Sequence, residues 1–133
     1  MCIALSVSNF HPYSQKSDSY IQYWKVIMAE AVSEGYGGMY AVACVIRNRG
    51  GALKGFCGAK RKNLDQFCRK QGQKYIQLAK MIEQQVFQMN AEDITNGATH
   101  FENVEKFGKP YWAEHMIVTA KIGNHTFFKK SNS

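Results

Sequence analysis

The chain has 133 residues, of which 45% are hydrophobic and 20% charged, and its formal net charge is +7 at pH 7. This length fits one domain, and the apolar content can build a core, which argues against an intrinsically disordered chain. The longest early apolar run, residues 2–7, is far shorter than a membrane-spanning helix and lacks the basic flank of a secretory signal. We therefore expect neither a membrane segment nor a signal peptide.

In chain order, residues 1–18 show no clear hydrophobic period and predict an N-terminal arm, followed by one folded domain over residues 19–133. Apolar residues at helical spacing predict an amphipathic helix over 19–34. The glycine-rich residues 35–38 predict a turn, and a second helix is expected over 38–49.

The second half of the chain mixes loops and helices. Residues 52–72 predict a loop with short helical pieces, and a clear i, i+3, i+4, i+7 pattern predicts a third helix over 75–89. Residues 90–109 predict a loop with one short strand, residues 110–123 a fourth helix that begins at its proline, and residues 126–128 a terminal strand.

Basic residues are concentrated in one segment. Residues 54–80 hold eight basic side chains and one acid, whereas the rest of the chain holds nine of each. Because this segment carries the entire imbalance, a polyanionic partner is expected to bind there.

The cysteines and histidines do not form a metal motif. Neither an HExxH nor a paired CxxC pattern occurs, and no glycine pattern for nucleotide binding is present, so we expect neither a metal nor another cofactor. Cys44 is expected to pack as a small apolar side chain. Cys57 and Cys68 are expected to be thiols, with a disulfide between them as the alternative if the protein is exported.

Glu30 and Glu34 are the most suggestive pair of side chains. Their i, i+4 spacing places both on one side of the predicted first helix, near its negative C-terminal end. Repulsion between the two charges and the helix dipole should both raise the pKa values of these carboxyl groups, as a general acid requires. The alternative interpretation is a pair of solvated surface glutamates.

The segment around these glutamates resembles the opening motif of the SleB-type cell-wall hydrolases, and later segments resemble further motifs of that family in the same order. Each motif is weak alone, and their common order gives the resemblance its weight. The matching segments are 29–39 (AEAVSEGYGGM), 41–49 (AVACVIRNR), 57–58 (CG), 66–67 (QF), 95–101 (TNGATHF), Trp112 and 122–127 (IGNHTF).

The resemblance implies a small, mainly helical, lysozyme-like α+β domain that cleaves the β-1,4 bond between N-acetylmuramic acid and N-acetylglucosamine in peptidoglycan. It places the catalytic acid at Glu30 and gives Glu34 a supporting or alternative role. Two acids one turn apart approach a sugar from the same side, so they are poorly placed to act as acid and nucleophile. This favours a lytic transglycosylase with one catalytic glutamate, with a hydrolytic muramidase as the alternative.

The same motifs supply candidate substrate-binding residues. Gln66 and Phe67 are expected to line the cleft, with core packing of Phe67 beside a surface Gln66 as the alternative. For the aromatic candidates, two interpretations are open: stacking on a sugar ring or packing within the protein. For the other candidates, the two interpretations are a contact with the sugar or a structural role. These further candidates are Tyr36, His100, Asn103 and Trp112.

A structural role is expected for Asn48 and Arg49 at the end of the second helix and for His125 in the closing segment. The resemblance makes peptidoglycan glycan strands the expected partner, and it makes nucleic acid the less favoured polyanion for the basic segment. The competing hypotheses are a basic nucleic-acid-binding module and an inactive wall-binding relative. We expect a monomer made in the cytoplasm that reaches the cell wall after release or as a virion component, as a phage endolysin or virion-associated lysin would.

Overall fold

The computed structural model describes residues 21–131, so the predicted arm over residues 1–18 and Cys2 lie outside the described residues. Helices form the larger part of the domain, and a small antiparallel sheet closes one side of it. None of the described helices is long and apolar enough to cross a bilayer. The helices are α1 (Tyr23–Ala31), α2 (Gly35–Asn48), α3 (Leu64–Gln71), α4 (Gln73–Glu83) and α5 (Val104–Phe107), and the strands are β1 (His100–Glu102), β2 (Met116–Ile122) and β3 (His125–Lys130).

Helix α2 is the centre of the core. Every residue from Ala41 to Ile46 is fully buried, which suits a helix that is packed on all sides. Helices α1 and α4 both pack against it, and Cys44 lies in this core, as predicted. Within the described region, Cys44, Cys57 and Cys68 are free thiols.

The junction between α1 and α2 is shorter than the sequence predicts. A single 3₁₀ turn, Val32–Glu34, connects the two helices, and α2 begins at Gly35 rather than after a four-residue turn. Gly35 has a φ of +75°, a conformation that glycine adopts at little cost, so one residue is enough to redirect the chain. Glu34 therefore lies beyond the last turn of α1 instead of on it.

The basic segment contains more helix than predicted. A 3₁₀ turn, Cys57–Lys60, and helix α3 occupy much of the expected loop, and all eight basic side chains between Lys54 and Lys80 are exposed. The third predicted helix is confirmed as α4, which continues into a π-helical turn over Gln84–Gln88.

The predicted fourth helix over residues 110–123 is wrong. A 3₁₀ turn, Tyr111–Ala113, is followed by β2, which pairs antiparallel with β3 across a two-residue Gly123–Asn124 turn. The apolar residues fit helical spacing, yet the β-branched run Ile117–Thr119 and the hairpin partner decide the conformation. The predicted terminal strand is confirmed as β3, which is the central strand of the β1-β3-β2 sheet.

Candidate active site

Glu30 lies in the last turn of α1, where its side chain is partly buried against the Cys57–Lys60 turn. Its Oε2 atom accepts a hydrogen bond of 2.7 Å from the backbone N–H of Gly58. A Cβ atom at position 58 would lie 2.8 Å from the Ala29 Cβ and 3.0 Å from the Glu30 Oε2. Only glycine therefore lets this backbone come close enough to donate to the carboxylate.

A cleft of about 240 Å³ opens beside Glu30. The sheet and the loop after α2 form its other walls, so the cleft lies between the helical part of the domain and β1. Its lining residues are Glu30, Arg49, Gly55, Phe56, Cys57, Thr99, His100, Phe101, Glu102, Trp112 and His125.

The cleft changes the acidity of Glu30. Burial raises the pKa of this carboxyl group above its ordinary value of 4.5, and the Gly58 N–H and the charges of His125 and Arg49 only partly oppose that effect. The predicted direction is confirmed, but desolvation is the main cause, rather than repulsion from Glu34. A carboxyl group that keeps its proton to a higher pH than an ordinary glutamate is better suited to general acid catalysis.

Arg49 is a buried basic side chain that lines the cleft, and the sequence predicts only a structural role for it. It is 1% exposed, its Nη2 donates to the Lys54 carbonyl at 3.1 Å, and its guanidinium lies 4.5 Å from the centre of the Phe56 ring. Arg49 therefore shapes the loop that forms one wall, and its charge also acts on Glu30. Asn48 is structural, as predicted, since its Nδ2 donates to Asp93 and to the Ala98 carbonyl.

His100 and Trp112 form a paired aromatic wall. The two rings lie 5.0 Å apart, and Trp112 packs edge-on against Phe128. Burial, followed by the charge of Arg49, lowers the pKa of His100 to about 4, so its imidazole is neutral near pH 7. His100 lies 2.8 Å from the Thr99 hydroxyl through Nδ1.

Glu34 has a different environment from Glu30. Its Oε1 accepts the backbone N–H of Asn124 at 2.9 Å, and its Oε2 accepts the Asn124 side-chain amide at 3.0 Å. These hydrogen bonds lower the pKa of Glu34, so the prediction of a raised pKa for both glutamates is wrong for this one. Glu34 joins the α1–α2 junction to the β2–β3 turn, and it does not line the cleft.

His125 lies close to both Glu30 and Glu34. Its ring lies 5.0 Å from Phe101 in the cleft wall, and its Nδ1 is 3.9 Å from the Glu34 Oε1. The sequence predicts a structural role, but the structure also brings His125 into the cleft lining near Glu30.

Four of the six predicted substrate-binding residues do not line the cleft. The Tyr36 hydroxyl donates to Gln85 at 3.1 Å on the helical surface, and the Asn103 side chain accepts the Lys106 N–H at 3.1 Å as the N-cap of α5. Gln66 lies in a separate depression on α3.

Phe67 also lies outside the cleft lining, because its ring packs against the hydrophobic core with the Arg61 guanidinium 4.1 Å above it. The predicted Gln66–Phe67 wall is therefore replaced by the loop from Gly55 to Cys57. Helix α3 buries Cys68 and directs Gln66 away, a result of helical phase that the Gln-Phe motif alone does not reveal.

Glu102 is a second acidic residue of the cleft, and the sequence motifs assign it no role. It lines the cleft together with Glu30, and its Oε2 accepts the Asn103 N–H at 3.1 Å. Residues i and i+2 of a strand share a face, so a strand beginning at His100 would have placed Glu102 beside it. Within residues 21–131, no group of three or more His, Cys, Asp or Glu side chains is arranged to hold a metal ion.

Comparisons with known proteins give a family match and a similarity of fold. The sequence model of the family described as cell wall hydrolase matches residues 33–128, a range that includes Glu34, Glu102 and the aromatic wall and begins three residues after Glu30. The fold is similar to the catalytic domain of the germination-specific lytic transglycosylase SleB from Bacillus anthracis, with a TM-score of 0.53 and 21% identity over 85% of this chain and 99% of that one. No curated protein sequence matches the chain.

The structural similarity supports a small lysozyme-like α+β domain. The family match extends over well more than half of the sequence. The chain therefore belongs to the cell wall hydrolase family, the enzymes that degrade peptidoglycan.

Proposed function

We propose that this enzyme cleaves the β-1,4 bond between N-acetylmuramic acid and N-acetylglucosamine as a lytic transglycosylase, with Glu30 as its catalytic acid and base. The observation that carries this proposal is the partly buried Glu30 at the cleft, with a raised pKa and one oxygen held by the Gly58 N–H. Further support comes from the structural neighbour, which is itself described as a lytic transglycosylase.

The reaction needs one group that first gives and then takes a proton. Protonated Glu30 donates its proton to the glycosidic oxygen, and the bond between that oxygen and C1 of the muramic acid breaks. The resulting carboxylate then removes the proton from the C6 hydroxyl, whose oxygen bonds to C1 and closes a 1,6-anhydro ring. No water is consumed, and Glu30 recovers its proton at the end of the cycle.

The Gly58 N–H fits both stages of this cycle. It donates to Oε2, so it stabilises the carboxylate formed after the first transfer and fixes the direction of the other oxygen. Glu34 supports the reaction indirectly, since both of its oxygens are occupied by Asn124. We therefore assign Glu34 a positioning role in place of the alternative catalytic role that the sequence leaves open.

His100 and Trp112 are the candidates for sugar contact, because they are the only two predicted substrate-binding residues that line the cleft in the part of the chain the structure describes. An aromatic face beside a neutral imidazole offers stacking together with one directional hydrogen bond. Sugar contacts by Tyr36, Gln66, Phe67 or Asn103 stay predictions, and they would require a glycan strand that extends beyond the cleft.

A hydrolytic muramidase is the second candidate, and Glu102 favours it. A hydrolase needs a second carboxylate to activate water or to attack C1, and Glu102 lines the same cleft as Glu30. In the transglycosylase, Glu102 would instead contribute only to binding or charge, so the two candidates predict different consequences of losing it.

Mass spectrometry of digested sacculi separates these candidates. We expect 1,6-anhydro-muropeptides from the wild type, about 10²–10⁴-fold less from Glu30→Gln, and the same products at a slightly reduced rate from Glu102→Gln. The control is Glu105→Gln, whose side chain lies on α5 and contacts Lys121 at 3.7 Å. Reducing ends in place of anhydro ends, together with an inactive Glu102→Gln, would establish the hydrolase.

The exposed basic segment supports adhesion to the wall. Its 3₁₀ turn also supplies the Gly58 N–H, so the basic surface begins at the wall of the cleft. Replacing Lys60, Arg61 and Lys62 with glutamine should weaken binding to sacculi more than cleavage of short soluble fragments. Equal losses in both assays would contradict this role.

A further inference from the structure

A second compartment adjoins the Glu30 cleft. It has a volume of about 500 Å³, and it shares His100 and Trp112 with the smaller cleft, so the aromatic pair is a partition with one compartment on each side. Neither the proposed proton transfers nor the family match requires this second space. Its other main lining residues are Tyr111, His115, Met116 and Lys130.

The lining of this compartment favours an anion with some apolar surface. Lys130 contributes an ammonium group and His115 an imidazole, and no aspartate or glutamate lines it among residues 21–131. The charge of Lys130 also reaches the partition, where it contributes to the lowered pKa of His100. Tyr111 is 90% exposed, so a large aromatic surface lies beside these groups.

The chemistry of the proposed substrate places such an anion here. Each N-acetylmuramic acid carries its peptide stem on the lactyl ether at C3, on the same ring whose C1 reacts. When that ring lies at Glu30, the peptide stem is attached to the ring only a few bonds away from the scissile bond. The stem carries free carboxylates on short side chains, which match a lysine next to aromatic surface.

We propose that the compartment lined by Tyr111, Trp112, His115 and Lys130 binds a carboxylate of the peptide stem of the muramic acid held at Glu30. This inference rests on the proposed function and extends it, because it makes the enzyme selective for stem-bearing strands over bare glycan. Lys130 supplies the charge, and the partition directs the stem away from the scissile bond.

The test compares two substrates that differ only in the stem. One is purified glycan strands with intact peptides, and the other is the same strands after an amidase has removed the peptides. We expect the wild type to have a higher kcat/KM for the stem-bearing strands, and Lys130→Gln to lose about tenfold on these strands alone, as for one charge-assisted hydrogen bond.

Lys129→Gln is the matched control. It is the adjacent residue of β3 and has the same charge, but its side chain points to the other face of the strand, where its Cδ lies within 3.7 Å of a Cβ built on Gly97. It should change neither substrate's kcat/KM, and both variants should unfold at the temperature of the wild type.

The outcomes separate this inference from the proposed function. An equal loss on both substrates would make the compartment a sugar site, and no loss on either would exclude Lys130; both results overturn the inference while leaving Glu30 in place. If the wild type cleaves neither substrate, the proposed function fails instead. In that case, binding of the free stem tripeptide tests the compartment directly. The readout is the NMR shift of the Trp112 indole in the wild type and in Lys130→Gln. Equal shifts in both proteins would overturn the inference.

Discussion

Glu30 and Glu34 lie four residues apart, yet the fold gives them opposite chemical environments. Glu30 faces a cleft, loses solvent and receives one backbone hydrogen bond, so its pKa is raised. Glu34 lies past the end of the same helix and receives two hydrogen bonds from Asn124, so its pKa is lowered. Carboxylate spacing alone therefore does not assign a role, because desolvation and hydrogen bonding decide which form of the acid is stable.

The largest expected effect is that of Glu30→Gln. The amide keeps the shape of the side chain and can still accept the Gly58 N–H, but it cannot transfer a proton. Release of muropeptides from sacculi should fall by about 10²–10⁴-fold. Thermal unfolding should show a protein at least as stable as the wild type, because a desolvated acid is removed. Retained activity would contradict the assignment of the cleft glutamate.

The next effect is that of Gly58→Ala, which tests the contact rather than the acid. The added Cβ would crowd the Ala29 Cβ and the Glu30 Oε2, so the turn must move and the hydrogen bond must lengthen. Cleavage should fall by about 10²-fold, as for a catalytic group displaced by roughly 1 Å.

Gly37→Ala is the matched control for that variant, since a Cβ there meets no atom within 4 Å. It should keep full activity and should raise the free energy of unfolding by about 0.5–1 kcal/mol, because alanine is preferred in a helix. A Gly58→Ala enzyme as active as Gly37→Ala would show that the backbone contact is dispensable.

The third prediction is that Glu34→Ala lowers the stability of the protein. It removes the acceptor of both Asn124 hydrogen bonds and should lower the free energy of unfolding by about 1–3 kcal/mol in urea titrations, with a much smaller effect on cleavage than Glu30→Gln. A loss of cleavage as large as that of Glu30→Gln would instead give Glu34 a catalytic role.

The same variant has a pH signature. Since the pKa of Glu34 is lowered on folding, its contribution is present above the ordinary value of 4.5 and is lost as the pH falls through the lowered folded value. The stability difference between wild type and Glu34→Ala should therefore shrink in acid, and a difference independent of pH would contradict this interpretation.

The smallest effect is that of His125→Gln, which changes the surroundings of both Glu30 and Glu34. The charge of His125 lowers the pKa of Glu30, so its removal should let Glu30 keep its proton to higher pH. We expect the alkaline limb of the pH–rate profile to move to higher pH, with little change in the maximal rate. A shift to lower pH would mean that His125 acts on Glu30 by another route.

Much of the helical half follows from the sequence. The burial of α2 and the existence of α1 and α4 follow from apolar periodicity, because each of these helices packs a continuous apolar face. The error at residues 110–123 shows the limit of that signal. Trp112, Met116 and Ala120 fit a helix, but Gly123–Asn124 between two β-prone runs is a hairpin signal that outweighs them.

The candidate site also contains some residues that the sequence predicts and others that only the packing of the chain brings together. The motifs make Glu30, His100 and Trp112 candidates for one site, and all three line the same cleft. The positions of Gln66 and Phe67 depend on the phase of α3, and those of Arg49, Glu102 and His125 depend on how β1 and β3 pack on the helices. Such side chains meet across long sequence separations, so no local pattern records their proximity.

The amino-acid sequence was enough to predict the family, the helical core and the location of the +7 charge. The different environments of the two glutamates depend on the packing of the chain, which desolvates Glu30 and gives Glu34 two hydrogen bonds from Asn124. The physical reason is that a carboxyl group's pKa depends on the solvent it loses and the donors it meets, and here the donors, Gly58 and Asn124, lie 28 and 90 residues away in the chain.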